Sequence, residues 1–347
     1  MKYRTLGSTG VYVSEISLGA MSFGGADDPI FGTVGGLSVQ ESEKVVKTAL
    51  DAGVNLIDTA DVYSAGESEE QLGQILQGRR DEVLISTKAL VRSGPGPNDL
   101  GATRLHLTRS IERSLRRLRT DFIDLYQLHN FDPVTPLEET LRALDDAVRQ
   151  GKIRYLGASN FAAWHVAKAL GISALRQLSG FVALQEHYSL LVRDIENDVV
   201  PLVESEQLGL TIWGPLAAGY LTGKYDRSGA STDLDARRVQ APLASIPPVD
   251  PEVAHPIVEV VREVAERNRT SPANVALAWL LARPAVTSVT IGVRNVEQLT
   301  GNLGAIDLEL SAQDLAQLDA ISATKVPYPK WINDYSGAVR GPVPPQD

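Results

Sequence analysis

The spacing of apolar residues along the chain switches repeatedly between two patterns. Short apolar runs such as Val54-Asn55-Leu56-Ile57, Val83-Leu84-Ile85 and Phe181-Val182-Ala183-Leu184 are bounded by turn residues and predict buried strands. Between them, apolar residues recur three and four apart. Val45, Val46, Ala49 and Leu50 mark a helix over 40–52, and Leu107, Ile111, Leu115 and Leu118 mark one over 103–118. The same reading gives strands at 16–19, 122–129, 153–158, 210–213 and 286–291. Further helices are expected at 67–76 with Ser68 as N-cap, 137–148, 162–170, 194–206 with Pro201 as a break, 252–267, 272–282, 295–303 and 311–322. A hairpin over 3–14 precedes the series, its turn at Gly7-Ser8-Thr9-Gly10. Ser22–Leu37 is a Gly-rich loop with apolar Phe23, Ile30 and Phe31, and Gly223–Asp250 is too long for an ordinary connection.

Eight strand–helix units in alternation argue for a parallel sheet covered by helices. Such a sheet can stay open and doubly wound or close into a barrel. No G-x-G-x-x-G follows the first strand and no P-loop occurs, so the open dinucleotide-binding sheet lacks its signature. The expected fold is an α/β (β/α)8 barrel forming one domain over 1–347, with an N-terminal hairpin and extra C-terminal helices. The tail from Pro327 is Pro-rich and carries Tyr328, Trp331 and Tyr335. It is expected over or beside the barrel, either as a lid on its mouth or as packing on its outside.

Composition narrows the chemistry. A net charge of −10 repels phosphodiester backbones, so nucleic acid is not an expected partner. The absence of cysteine excludes disulfides, thiolate nucleophiles and cysteine metal sites. The five histidines show no ligand spacing, and no metal is expected. With no apolar leader at Met1 and no run of about 18 apolar residues, the expected compartment is the cytoplasm and no membrane is involved.

The catalytic groups of a barrel sit at the C-terminal ends of its strands. Here those ends carry Asp58 and Tyr63, Lys88, His129, Ser159 and Asn160, Gln185, Trp213 and Arg294. A phenol is a poor acid at neutrality. A lysine charge about 4 Å away is worth about 4 kcal/mol at an effective dielectric near 20, a drop of roughly 3 pKa units. Asp58 beside Lys88 would keep that lysine charged. A histidine donor beside the phenol would polarise a carbonyl oxygen. This set suits protonation of an alkoxide as it forms, with the hydride supplied from elsewhere. Ser159, Asn160 and Gln185 offer the donors and acceptors that a carboxamide needs, Trp213 a face for a flat ring, and Arg294 a partner for phosphate. Together they imply a nicotinamide dinucleotide.

These residues resemble the aldo-keto reductases. The resemblance rests on Asp58-Thr59-Ala60 with Tyr63, Ser86-Thr87-Lys88, Tyr126-Gln127-Leu128-His129 and Gly157-Ala158-Ser159-Asn160-Phe161. It extends through Gln185, Trp213 to Lys224 and Ile291-Gly292-Val293-Arg294, and on to Gln298 and Asn302, within roughly 1–325. It implies reduction of an aldehyde or ketone with NADP(H), with Tyr63 as general acid/base, Lys88 and Asp58 as its tuners and His129 orienting the carbonyl. It also implies a carboxamide held by Ser159, Asn160 and Gln185 and a nicotinamide stacked on Trp213. Leu216 and Gly219 would hold the pyrophosphate, and Gly292, Arg294, Gln298 and Asn302 the adenosine end. The branch resembled is bacterial rather than mammalian. Three positions depart from the usual pattern: Gly214 where Ser is common, Ser64 where Gly often follows the tyrosine, and Asn130 where an aromatic residue often follows the histidine.

Taken singly, each of these residues has a plainer explanation: a strand-end cap for Asp58, a snorkelling lysine, a core histidine. The arginines of 103–118 are expected on a solvated outer face, and Trp164 and Trp279 in the core. A cofactor-sensing module, as in the potassium-channel β-subunits that share the fold, is the alternative function. A two-carboxylate glycosidase is disfavoured, because Asp58 and Asp61 are too close in sequence to flank a substrate. Carbonyl polarisation by Tyr63 and His129 needs no Lewis acid. Exhaustive dialysis against a chelator is therefore expected to leave carbonyl reduction unchanged; activity lost to the chelator and restored by zinc would overturn this.

Overall fold

Two antiparallel strands, β1 (Tyr3–Thr5) and β2 (Tyr12–Ser14), open the chain. Eight parallel strands then close on themselves: β3 (Ile16–Gly19), β4 (Leu56–Asp58), β5 (Leu84–Ala89), β6 (Ile123–Leu128), β7 (Ile153–Ser159), β8 (Phe181–His187), β9 (Gly209–Trp213) and β10 (Ser288–Gly292). β10 pairs with both β9 and β3, which seals the barrel. This computed structural model describes residues 1–28, 34–225 and 248–341. Ile30, Phe31, most of the Gly223–Asp250 insertion and the last residues of the tail lie outside them.

The helices are α1 (Val39–Asp51), α2 (Glu67–Ile75), α3 (Arg104–Leu118), α4 (Leu137–Arg149), α5 (Ala163–Arg176), α6 (Val199–Glu206), α7 (Pro251–Arg267), α8 (Pro272–Leu281), α9 (Val296–Leu303), α10 (Ala312–Ile321) and α11 (Lys330–Arg340). Their starts obey local chemistry. Ser38 and Glu41 form a reciprocal capping box on α1, Thr103 caps α3, and Ser271 followed by Pro272 starts α8. The main core lies between barrel and helices, where Leu72, Leu107, Leu141, Val166 and Trp279 are fully buried.

The bottom of the barrel is closed by the hairpin. Leu6 and Val13 pack with Leu56, Leu125 and Ala183, one from each of β4, β6 and β8, the alternate-strand layering of a filled barrel. Gly7 makes the close approach. Its φ is +58°, and a Cβ there would lie 2.6 Å from the Val182 carbonyl oxygen, so any side chain would lift the hairpin off.

Several expectations are corrected. Ser68 does not cap α2: Gly66 precedes the helix, and Ser68 is buried, donating to the Ala20 carbonyl at 2.7 Å. α5 runs through Gly171 to Arg176 instead of stopping near Leu170, and ends at left-handed Gln177. Pro201 does not break α6, which starts only at Val199; the proline falls in the first turn, where its missing N–H costs nothing. The Pro-rich tail, for which no helix was expected, forms α11, and Tyr328, Trp331 and Tyr335 are all exposed. Burial against outer helices is therefore not found for these rings.

The arginines of α3 are not all solvated. Arg117 reaches inward, its Nη1 donating to the Asp61 carbonyl at 2.9 Å and to Glu69 Oε2 at 3.3 Å. It caps a buried acidic group on the outer side of β5. Glu69 also accepts the Thr87 hydroxyl at 2.7 Å, while neither carboxyl oxygen of Asp61 has a hydrogen-bond partner. Burial, and after it the charge of Glu69, push Asp61 up to about 7, against the pull of Arg113 and Arg117 and of the Ser110 hydroxyl nearby, which lies too far or too poorly aligned to count as a full hydrogen bond. The unfolded chain would release this proton near its ordinary value of 3.8, so the folded state binds more protons in between. Stability therefore falls as pH rises from about 4 to 7 and stays low above. Asp61→Asn removes that titration. It is expected to be more stable than wild type at pH 8, with the advantage shrinking by on the order of 2–3 kcal/mol on going to pH 5. Melting curves at both pH values check this, and parallel shifts would show Asp61 to be ionised throughout.

Candidate active site

Asp58 ends β4 and Lys88 lies near the end of β5, and barrel closure points both inward. Lys88 is fully buried, and its Nζ donates to Asp58 Oδ2 at 2.6 Å and to the Thr59 carbonyl at 2.8 Å. Its next neighbour is the Tyr63 hydroxyl at 3.4 Å. Asp58 is satisfied on its other oxygen by the Ser86 hydroxyl at 3.0 Å and by Gln185 Nε2 at 2.9 Å, reaching across from β8. Gln127 Nε2 in turn donates to Ser86 at 2.7 Å. One hydrogen-bonded layer thus ties β4, β5, β6 and β8 together beneath the mouth. Lys88 stays charged, its value raised because Asp58 and Tyr63 outweigh its burial.

Tyr63 stands in a short 3-10 turn after β4. The turn is tight: Ser64 and Ala65 both have left-handed backbones, φ +50° and +55°. Glycine is the easy residue at such a position. Ser64 is held there by a hydrogen bond from its hydroxyl to the Phe23 carbonyl at 3.0 Å. The His129 ring meets the Tyr63 ring edge-on at 5.8 Å between centroids. Burial, with the Lys88 charge beside it, pushes His129 down to about 3, so its imidazole is neutral. Its Nδ1 has no hydrogen-bond partner.

The expectation that Lys88 draws the phenol toward neutrality is not met here. Tyr63 is raised above its ordinary value of 10.0: burial outweighs the Lys88 field, and Asp58 adds to the rise. The reason is geometric. Lys88 spends its charge on Asp58 at 2.6 Å and stands at 3.4 Å from the hydroxyl. Tyr63 therefore keeps its proton at neutral pH.

The strand ends of β7, β8 and β9 meet around Asn160. Its Oδ1 accepts from Trp213 Nε1 at 3.0 Å, and its Nδ2 lies at 3.0–3.1 Å from the His129 carbonyl, Asn130 Oδ1 and Ser159 Oγ. Trp213 stacks on His187, ring centroids 4.4 Å apart and planes at 22°. Gly214 follows at φ +64°, and a Cβ there would lie 2.9 Å from the His187 ring. Glycine rather than serine at 214 thus accompanies a histidine packed beneath it. Ala217, Ala218 and Gly219 continue with left-handed backbones, in a turn whose Ala217 and Gly219 amides donate to the Gly214 and Leu216 carbonyls at 2.9 Å. After β10, Gln298 Oε1 accepts the Arg294 amide at 2.9 Å and Asn295 caps α9. Gln298 thus sits beside Arg294 at the strand-to-helix junction, with Gly292 at the end of β10 and Asn302 one turn further along α9.

Some members of the site carried no separate signal. Gln127 and Ser86 lie within the motifs of the resemblance without a role of their own, and His187 belongs to none of them. Its one clue was its place two residues after Gln185, on the same face of a strand. Trp279 is fully buried as expected, but Trp164 is 60% exposed. It lies at the start of α5, against His165, which in turn stacks on Phe131 at 3.6 Å. This aromatic group flanks the mouth next to Asn130.

Among the described residues no group of three or more His, Asp or Glu could hold a metal ion, and no helix is long and apolar enough to cross a membrane. The model of the aldo/keto reductase family matches residues 15–323. The chain is 37% identical over 339 residues to an uncharacterized oxidoreductase, YrpG, of Bacillus subtilis, covering 92% of this chain and 96% of the relative. It is 34% identical to a probable voltage-gated potassium channel subunit beta of Oryza sativa, over 96% of this chain and 100% of the relative. It is also 33% identical to norsolorinic acid reductase of Aspergillus flavus, over 93% and 81%. With a closed eight-stranded parallel barrel, Asp58, Tyr63, Lys88 and His129 gathered at its mouth, and a family match spanning most of its length, this chain belongs to the aldo/keto reductase family.

Proposed function

We propose that the protein reduces an aldehyde or ketone to the alcohol, reversibly, with NADPH as hydride donor. The observation that carries this is the contact of the Tyr63 hydroxyl with buried Lys88, itself paired with Asp58, beside a neutral His129. The donor set fits a nicotinamide dinucleotide. Gln185 uses its Nε2 on Asp58 and keeps Oε1 as an acceptor, and Ser159 keeps its hydroxyl proton. Trp213 would stack on the nicotinamide ring, and Leu216, Gly219, Gly292, Gln298 and Asn302 would hold the rest. When bound, that group supplies the hydride. The residues of this chain do the remainder. The Tyr63 O–H donates its proton to the carbonyl oxygen as negative charge builds on it, and Lys88 steadies the phenolate left behind. Asp58 keeps Lys88 charged and fixed. His129, uncharged, offers an N–H to the same oxygen without competing as an acid.

The likeness to probable potassium channel β-subunits supports a second reading, a cofactor-sensing module. Turnover of NADPH with a simple aromatic aldehyde separates the two, since a sensor would bind the dinucleotide without consuming it at an enzymatic rate.

Tyr63→Phe deletes the proton donor and leaves the ring. Its kcat is expected to fall at least about 100-fold, the lower range for general acid catalysis, while cofactor binding by fluorescence quenching persists. Near-wild-type turnover would remove Tyr63 from the mechanism. Arg294 is proposed to meet the 2′-phosphate through charge-assisted hydrogen bonds. Arg294→Ala should weaken NADPH about tenfold or more and leave NADH nearly unchanged. Equal loss for both would mean that Arg294 does not read that phosphate.

A further inference from the structure

We infer that Glu186 is a positioning residue of this site: from the outer side of β8 it holds the Ser159–Phe161 turn in the conformation that presents Asn160 at the mouth. This rests on the proposal that Asn160 meets the cofactor.

Glu186 lies between Gln185 and His187, both of which belong to the mouth, so strand alternation sends its side chain the other way, behind the barrel wall. It is 5% exposed, and its Oε1 accepts the Phe161 amide at 3.1 Å. The Asn160 amide also leans on this carboxyl, while donating to the Gln185 carbonyl at 3.2 Å. The backbone here needs such support. Asn160 has φ +58°, a left-handed conformation that costs a non-glycine residue energy unless its surroundings impose it. On the far side, the buried Phe161 ring is set edge-on against Phe131 and Phe181 at 5.5 and 5.9 Å. The turn is thus fixed at two points, by a ring that fills the core and by a carboxyl that takes its amide.

What depends on this turn is the hub around Asn160. Its side chain links the His129 carbonyl, Asn130, Ser159 and the Trp213 indole, so a rotation at 160 moves the ends of three strands together. Asn160 thus reaches four other residues of the site. Burial above all pushes the Glu186 carboxyl up to about 8, with Asp198 of the α6 cap adding to the rise. Near neutrality it is mostly the uncharged acid, and its carbonyl oxygen is the acceptor. Glutamine reproduces that oxygen; alanine does not.

The test uses the full-length protein and measures NADPH affinity by fluorescence and the indole N–H resonance of Trp213 without cofactor, assigned with Trp213→Phe. Wild-type binding tests the cofactor reading itself, and the variants test Glu186. Glu186→Gln is expected to bind within about threefold of wild type, with the Trp213 resonance in place. Glu186→Ala is expected to bind about tenfold more weakly or worse, and to shift the resonance, because Asn160 then loses its bond with the indole. If alanine does not fold, Glu186→Asp carries the same comparison, since it keeps a carboxyl but shortens its reach by one carbon. Should the alanine or aspartate variant lower the melting temperature yet keep the wild-type affinity per folded molecule and the wild-type resonance, Glu186 is packing and the assignment is overturned.

Discussion

The contact on which this site depends is the one between Lys88 and Asp58. A fully buried ammonium group is costly, and removing its partner from such a pair typically costs about 3–5 kcal/mol. The barrel meets that cost with three acceptors around Nζ: a carboxylate, a carbonyl and a phenol. Each comes from the β4 end or the turn after it. Placing the lysine on β5 therefore fixes that turn, and with it Tyr63. The second oxygen of Asp58 carries the same constraint across the barrel to Gln185.

The same pair explains why the phenol is not acidic in this state. Two opposing effects act on it, the field of Lys88 and the loss of water. A full positive charge at about 4 Å would dominate at an effective dielectric near 20. Asp58 sits closer to that charge than the phenol does and cancels much of it, so burial decides the outcome. In the proposed reduction, a tyrosine that keeps its proton until an alkoxide forms nearby suits the part of the acid. Burial likewise keeps His129 neutral, so it can donate a hydrogen bond without becoming a rival acid.

Around this centre, division of labour follows barrel geometry. Residues pointing inward at the strand ends form the site, and their outward neighbours make the scaffold. Lys88 faces the mouth while adjacent Thr87 turns to Glu69 in the helix layer. Gln185 faces the mouth while Glu186 braces the next turn. Residues one apart in sequence thus sit on opposite sides of one wall and answer to different requirements.

Much of this was legible in the chain itself. Alternating apolar periods set the order of the strands and of the helices up to α10, because each element shows its own repeat locally, while α11 in the tail was not read from them. The Asp58, Tyr63, Lys88 and His129 spacing was legible too, since a barrel brings all strand ends to one rim whatever the details. The Ser271-Pro272 start of α8 was local chemistry, whereas Ser68, expected to cap α2, is buried elsewhere. What the tertiary structure alone decided concerns groups meeting across strands. His187 beneath Trp213, Gln127 beside Ser86, Arg117 turned inward to Glu69, and the unpartnered carboxyl of Asp61 come from residues up to 56 positions apart. Periodicity carries no record of such meetings. The protonation states were hidden for the same reason: a pKa is set by burial and by the nearest charges, and both exist only once the barrel has closed.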